Sequence, residues 1–400
     1  MTNIVVGSPV RNDNLYGREE VIDLIWKKLE GSNILLAAPR RFGKTSIMFN
    51  LRDSPREGFD VFYLDVEWIR KPSDFIVEII TELLSKDSTK RIITSARSFP
   101  KKILDIIKGN IEEIEYADIK IKLREELSGN WEEQGKYLIK LIEKSQNKVV
   151  FTVDEFPVMI HEMSEKNPEE TKTFLNWFRS LRISPEVFKN IRFVIGGSIG
   201  IERILNKMDS IATINDLEKI YIGEFNKKDA ENFIIELFKS EDVDVDKGIV
   251  NKILDLIGKH IPYFIQVLVS ETIKESRNKD IDISREFVEK VYKEKVLGVE
   301  CRTYFEHYYM RLRQYSELLE EKSSKAILKT LAREDEMKPK TLYQIYLKAI
   351  SKTDDPDGFN YLMGDLENDF YIKFNHENET YSFASKILKD WWRRYYVLIE

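Results

Sequence analysis

Residues 34–45 read Ile34-Leu35-Leu36-Ala37-Ala38-Pro39-Arg40-Arg41-Phe42-Gly43-Lys44-Thr45. The short apolar run at the start has the character of a buried strand, and the loop after it leads into a helix beginning near Lys44. Residues 38–45 match the phosphate-binding loop pattern, with Ala38 in place of its first glycine. Such a loop exposes successive backbone N–H groups to phosphates, and Gly43 lets the main chain come close. The N-terminus of the following helix adds the positive end of its dipole. Lys44 reaches the β- and γ-phosphates, and the Thr45 hydroxyl ligates Mg²⁺. Ala38, Pro39, Arg40, Arg41, Phe42, Gly43, Lys44, Thr45 and Ser46 are therefore the expected nucleotide-binding loop. For Arg40 and Arg41, contact with phosphate, contact with a neighbouring subunit and a solvated loop tip all stay open.

The flanks repeat the strand–loop–helix theme. Residues 14–30 place Val21, Ile22, Leu24, Ile25 and Leu29 at helical spacing. Val61 to Val66 is a second strand and Asp74 to Leu84 a helix. Strands return at Val149–Val153 and Ile191–Ile195, with a helix from Pro168 to Arg182 between them. Strands alternating with helices predict an α/β fold with a parallel sheet covered on both faces. Residues 86–145 read as a charged helical insertion, and the alternation within Glu112–Glu125 suggests a small hairpin there. After about residue 215 helices dominate. The expected domains are a nucleotide-binding core over 1–215, a helical lid over 216–299 and a C-terminal domain over 300–400.

Composition narrows the classes. The chain has 400 residues, 63 basic and 69 acidic side chains and a net charge of −6, with 42% hydrophobic residues. That is a globular composition, and the mild acidity argues against a protein that coats nucleic acid. One cysteine, Cys301, excludes a disulfide framework, and four histidines disfavour a histidine metal centre. No apolar run is long enough to span a membrane, and no secretory leader is visible. The expected location is the cytoplasm.

The second strong signal is Asp154-Glu155 at the end of the strand Val149–Val153. Paired acids at the C-terminal end of a parallel strand sit where open α/β sheets bind ligands. Beside a phosphate-binding loop, Asp154 is assigned to Mg²⁺ and Glu155 to general base or water positioning. The strand Ile191–Ile195 runs into Gly196-Gly197-Ser198. Ser198 is a candidate to sense the γ-phosphate, although the same tripeptide makes an ordinary turn.

Taken together, these residues resemble the AAA+/STAND type of P-loop ATPase. Leu15-Tyr16-Gly17-Arg18-Glu19-Glu20 looks like the Gly-Arg-Glu box ahead of the first helix in AAA+-type ATPases. Gly258 to Gln266, with Pro262, looks like the Gly…Pro segment in the helical lid of STAND-type ATPases and of the archaeal and bacterial ATPases close to them. The resemblance covers about residues 12–295 and implies that Pro262, Tyr16 and Arg18 lie by the nucleotide. It departs from the pattern at Ala38 and in the lid, which offers Lys259 and His260 but no arginine. Arg203 is the nearest candidate for an arginine finger, against the plainer role of a surface helix residue.

The tail resembles the winged-helix domain that follows the lid in the same family. Ser323–Leu331, Thr341–Ile350 and Gly358–Leu366 read as helices, and Tyr371–Phe374 and Thr380–Phe383 as two strands. A winged helix usually suggests DNA, read by its third helix. Here residues 353–372 contain no Lys or Arg but include Asp354, Asp355, Asp357, Asp365, Glu367 and Asp369. Such a face repels phosphates and favours a protein partner or self-association. Trp391, Trp392, Tyr395 and Tyr396 are expected in the core, as are Tyr304, Phe305, Tyr308 and Tyr309 at the junction of lid and tail.

The functional expectation is a Mg²⁺-dependent ATPase that binds ATP between core and lid and hydrolyses it slowly to ADP. ATP and ADP then switch partner binding or oligomerisation. A second reading is a DNA-dependent ATPase akin to the origin-recognition and transposition ATPases. Its basic surface would come from Lys90, Arg91, Arg97, Lys101, Lys102 and Lys108. A third is a nucleotide-binding scaffold without turnover.

Overall fold

The computed structural model describes residues 3–11, 14–94, 101–109, 116–197, 200–314 and 318–397. The chain forms two compact units. One comprises Arg18–Ala37 and Lys44–Ile222; the other collects the chain up to Gly17, the loop Ala38–Gly43 and the chain from Gly223 onward.

The first unit is built on a parallel sheet of β1 (Asn33–Ala37), β2 (Phe59–Asp65), β3 (Lys148–Asp154), β4 (Ile191–Gly197) and β5 (Leu217–Tyr221). Their spatial order is β2-β3-β4-β1-β5. Apolar side chains cover both faces. Phe62, Phe151 and Phe193 form a row across neighbouring strands, with ring centroids 5.7 and 5.6 Å apart. Phe178 closes on Phe193 at 5.0 Å, bringing in the helix Pro168–Ile183. Four of the five strands lie where the sequence places them. β5 does not: its run Leu-Glu-Lys-Ile-Tyr carries too little apolar character to read as a strand, yet it pairs along β1 from Asn33–Leu217 to Ala37–Tyr221. The sheet unit therefore runs to Ile222, past the boundary expected near 215. Arg182 secures the approach to β5 with a two-pronged contact to Asp216, 2.8 and 2.9 Å long.

The helical insertion shares this core. It comprises Asp87–Thr94, Lys101–Gly109, Tyr116–Leu127 and Trp131–Ile142. The hairpin expected within Glu112–Glu125 does not form over the described part, because residues 116–127 are one helix. The sequence there has apolar residues at 119, 121 and 123, which suits alternation. Ile119, Leu123 and Leu127 are buried and Ile121 is 53% exposed, so the spacing of four decides the structure. Lys120 and Arg124 project from the same helix to Glu78 and Asp74 at 2.8 and 3.1 Å.

The second unit is mostly helical: Lys227–Lys239, Lys247–Ile257, Pro262–Lys279, Arg285–Val291 and Arg302–Arg311. Asn226, Asp246 and Ser284 cap three of these helices by accepting hydrogen bonds from backbone N–H groups three residues on. The tail adds helices Leu318–Arg333, Pro339–Ile350 and Pro356–Asn368, the antiparallel pair β6 (Ile372–Asn375) and β7 (Thr380–Phe383), and the helix Lys386–Trp392. Phe264 stacks on Phe305 at 5.6 Å, and Phe305 on Trp391 at 5.9 Å. Phe305, Trp391 and Trp392 are fully buried, as their helical spacing predicts. Cys301 is also buried, which pushes its thiol up to about 12 and suits a packing role.

Two glycines let the sheet unit close around the end of β4. A Cβ on Gly196 would lie 2.4 Å from Met48 Cε, on the helix Lys44–Asp53. A Cβ on Gly197 would lie 2.1 Å from Pro157 Cδ, in the first turn of the helix Phe156–Lys166. The methionine end can swing aside; the proline ring cannot. Gly197→Ala should therefore destabilise the protein by about 1–3 kcal/mol, the cost typical of overpacking. Denaturant unfolding checks this, with Gly196→Ala expected to be the milder change.

Candidate nucleotide site

At the end of β1 the chain enters the loop Ala38–Gly43. Two of its residues have left-handed backbone, Arg41 with φ 72° and Gly43 with φ 94°. Glycine adopts this conformation without steric cost, so Gly43 is the residue type the turn requires. Arg41 is held there by contacts within its own unit. Its guanidinium donates to the Gly7 carbonyl at 3.0 Å and lies over the Tyr263 ring at 4.5 Å. Phe42 is buried, edge-on to Phe370 at 5.0 Å. Arg41 and Phe42 are thus packed residues, whereas Arg40 is exposed.

The helix Lys44–Asp53 starts immediately afterwards. Lys44 and Ser46 are buried and Thr45 is partly so. Thr45 Oγ1 donates to Asp154 Oδ2 at 2.6 Å. Asp154 is the last residue of β3 and only 2% exposed. Its other oxygen accepts from the Glu155 backbone N–H at 3.0 Å. The two strongest sequence motifs, more than a hundred residues apart, are therefore in direct contact. Glu155 follows with φ 57° and ψ 29°, at the N-cap of the helix Phe156–Lys166. A left-handed, non-glycine residue at this point is a strained feature of the kind that collects at functional sites.

One site residue escaped the sequence reading. Tyr63, near the end of β2, donates from its hydroxyl to Asp154 Oδ2 at 3.2 Å. Burial, followed by the charges of Asp154, Asp65 and Glu155, pushes its phenol far above the ordinary value. The signal was available in principle. Tyr63 and Asp65 alternate on one face of β2, at the strand end where ligands bind in open α/β sheets.

The remaining expected site residues fall in different places. Arg18 is buried beside the first helix, Glu19–Leu29. Tyr16 packs on Phe233 and Phe225 at 5.1 and 5.9 Å. Pro262 begins the helix Pro262–Lys279. The turn before it is fixed by Glu224, which accepts from the His260 N–H at 2.9 Å and from the Lys259 ammonium at 2.5 Å. Beside Tyr308, with ring centroids 4.2 Å apart, His307 is pushed down to about 2 by burial and then by Arg40, Arg41 and Arg311, so its ring is neutral. Arg203 is in the short helix Ile201–Lys207. Ser198 and Arg97 lie outside the described residues, as does the Lys108 side chain.

No cluster of three or more His, Cys, Asp or Glu side chains suited to a metal exists among the described residues. Mg²⁺ bound with a nucleotide needs no such cluster, since one or two protein oxygens join phosphates and waters around it. Thr45 Oγ1 and Asp154, hard oxygen donors side by side, fit that chemistry. Among the described residues no helix is long and apolar enough to cross a membrane.

A parallel sheet in this order, with a loop of phosphate-binding sequence pattern after β1 and an Asp-Glu pair after β3, is the architecture of the P-loop NTPase fold. Solved structures carry the same architecture. The Walker-type ATPase PABY2304 of Pyrococcus abyssi matches with a TM-score of 0.63 at 17% identity, over 98% of this chain and 99% of that one. The ORC2 protein of Aeropyrum pernix, in its ADPNP–ADP complexes, matches with a TM-score of 0.54 at 12% identity, over 93% and 92%. No family model and no curated protein sequence matches the chain.

Proposed function

We propose that this protein hydrolyses ATP to ADP and phosphate in a Mg²⁺-dependent reaction and uses its nucleotide state to control a partner. The observation that carries this is the Thr45–Asp154 hydrogen bond, which joins the two halves of a phosphate site across the sheet. In this reading the N–H groups of Ala38–Gly43 and the Lys44 ammonium hold the phosphates. Thr45 and Asp154 hold Mg²⁺, which supplies charge neutralisation on the phosphate oxygens. Glu155 orients the attacking water and accepts its proton. Tyr16, Arg18 and Pro262 are assigned to the nucleotide's surroundings, and Ser198 to sensing the γ-phosphate. The three tail helices with β6 and β7 are assigned as a winged helix that transmits the nucleotide state, alone or through self-association.

For the partner, the full-length likeness to the ORC2 protein favours the origin-recognition reading, with duplex DNA as the partner, over a STAND-type switch. The third tail helix is a poor DNA reader. Asp357, Asn360 and Tyr361 are exposed on it, and it carries no cation. DNA contact is therefore assigned to the insertion, where Lys101 and Lys102 are exposed; Lys102 pairs with Glu126 at 3.2 Å yet stays 77% exposed. Steady-state turnover with Mg²⁺, with and without duplex DNA and with Lys44→Ala as the blank, tests both parts. Stimulation by DNA supports the origin-recognition reading; turnover indifferent to DNA returns the switch with a protein partner. Reversing charge at Lys101 and Lys102 together should weaken DNA binding several-fold and flatten its salt dependence.

A further inference from the structure

We infer that Tyr63 is a positioning residue for Mg²⁺-nucleotide binding, acting through the hydrogen bond from its hydroxyl to Asp154. The inference rests on the ATPase reading above and adds to it a residue from outside both sequence motifs. β2 and β3 pair in register, with Tyr63 opposite Thr152 and Asp65 opposite Asp154, so Tyr63 and Asp154 project from the same face of the sheet. Asp154 Oδ2 accepts from Tyr63 at 3.2 Å and from Thr45 at 2.6 Å, while Oδ1 accepts from the Glu155 N–H. The carboxylate is thus oriented by three donors from three directions, and Tyr63 contributes the one from the neighbouring strand. The tyrosine is itself held. Its ring meets Phe49 edge-on at 4.7 Å, and the Arg52 guanidinium lies over Phe49 at 4.7 Å and over Tyr63 at 5.8 Å. Phe49 and Arg52 belong to the helix that begins at Lys44. The same helix therefore supplies Thr45 to Asp154 and fixes the tyrosine that shares this oxygen.

A group that orients a metal-holding carboxylate changes metal affinity without touching the nucleotide. Loss of such an outer partner typically costs 10–100-fold in metal affinity or activity. Tyr63→Phe removes the hydroxyl and keeps the ring that packs on Phe49. The test titrates Mg²⁺ into the full chain with a fluorescent ATP analogue and reads bound nucleotide, with EDTA as the metal-free arm. The half-saturating Mg²⁺ concentration should rise about 10-fold in Tyr63→Phe, with affinity in EDTA unchanged. In an Asp154→Asn background the same substitution should have little further effect, because its route of action is gone. An unchanged Mg²⁺ requirement overturns the assignment. So does an equal loss of affinity with and without Mg²⁺, or an equal loss in the Asp154→Asn background, since either marks general structural damage. A wild-type chain whose nucleotide binding ignores Mg²⁺ would instead overturn the ATPase reading itself, and the two failures are told apart in one experiment.

Discussion

Glu155→Gln is expected to slow ATP turnover by about 100-fold or more while nucleotide binding stays within a few-fold of wild type. The substitution keeps the size of the side chain and removes its negative charge and, with it, the capacity to accept a proton. It also leaves the local backbone intact, because the hydrogen bond from residue 155 to Asp154 comes from the main-chain N–H. The left-handed conformation at 155 costs the two side chains about the same, so stability is expected to change little. Lys44→Ala differs in kind, since it withdraws a charge from the phosphates and should weaken binding itself. Single-turnover hydrolysis beside a nucleotide titration separates the two variants. Equal turnover in wild type and Glu155→Gln would remove Glu155 from the chemistry. If both showed no turnover above the Lys44→Ala blank, the chain would be a nucleotide-binding scaffold.

Asp369→Ala is expected to cost about 3–5 kcal/mol of stability, the range for breaking a buried ion pair. Asp369 accepts from Arg311 at 3.1 Å, and both side chains are only 5% exposed. The pair ties the end of the helix Arg302–Arg311 to the residue just after Pro356–Asn368. Nearby, the Tyr371 hydroxyl donates to the Tyr308 carbonyl at 2.7 Å, so the junction has limited freedom to let water in. Removing the carboxylate takes from the buried guanidinium its ion-pair partner, and loss of charge compensation at a buried position is expensive. The double variant Asp369→Ala with Arg311→Met should recover much of the loss, because the buried charge is removed together with its ion-pair partner. Denaturant midpoints for the single and double variants check this. A neutral Asp369→Ala would mean that water or another group satisfies Arg311.

The loop Ala38–Gly43 and the Asp154-Glu155 pair were legible in the sequence as motifs because each follows an apolar strand and is defined by local residue types. Gly43 answers a backbone conformation, the apolar runs answer burial in a parallel sheet, and Thr45 and Asp154, which follow those runs, meet in a hydrogen bond. β1 to β4 and the tail helices were legible for the same reason: periodicity within one segment already states which side is buried. The packing role of Trp391 and Trp392 followed from their helical spacing.

Other features depend on which segments become neighbours, and only the tertiary structure decides that. β5 is a strand because β1 offers it an edge, not because of its own mixed composition. Residues 116–127 are helical because Ile119, Leu123 and Leu127 meet the core together, a choice that the alternating pattern left open. Gly197 reads as a turn residue in sequence, yet it ends β4 and is required by the approach of Pro157. Tyr63 reads as one more aromatic of a strand until register places its hydroxyl beside Asp154. Local conformation and residue chemistry are properties of the chain, whereas a contact across 91 residues exists only once β2 and β3 have paired.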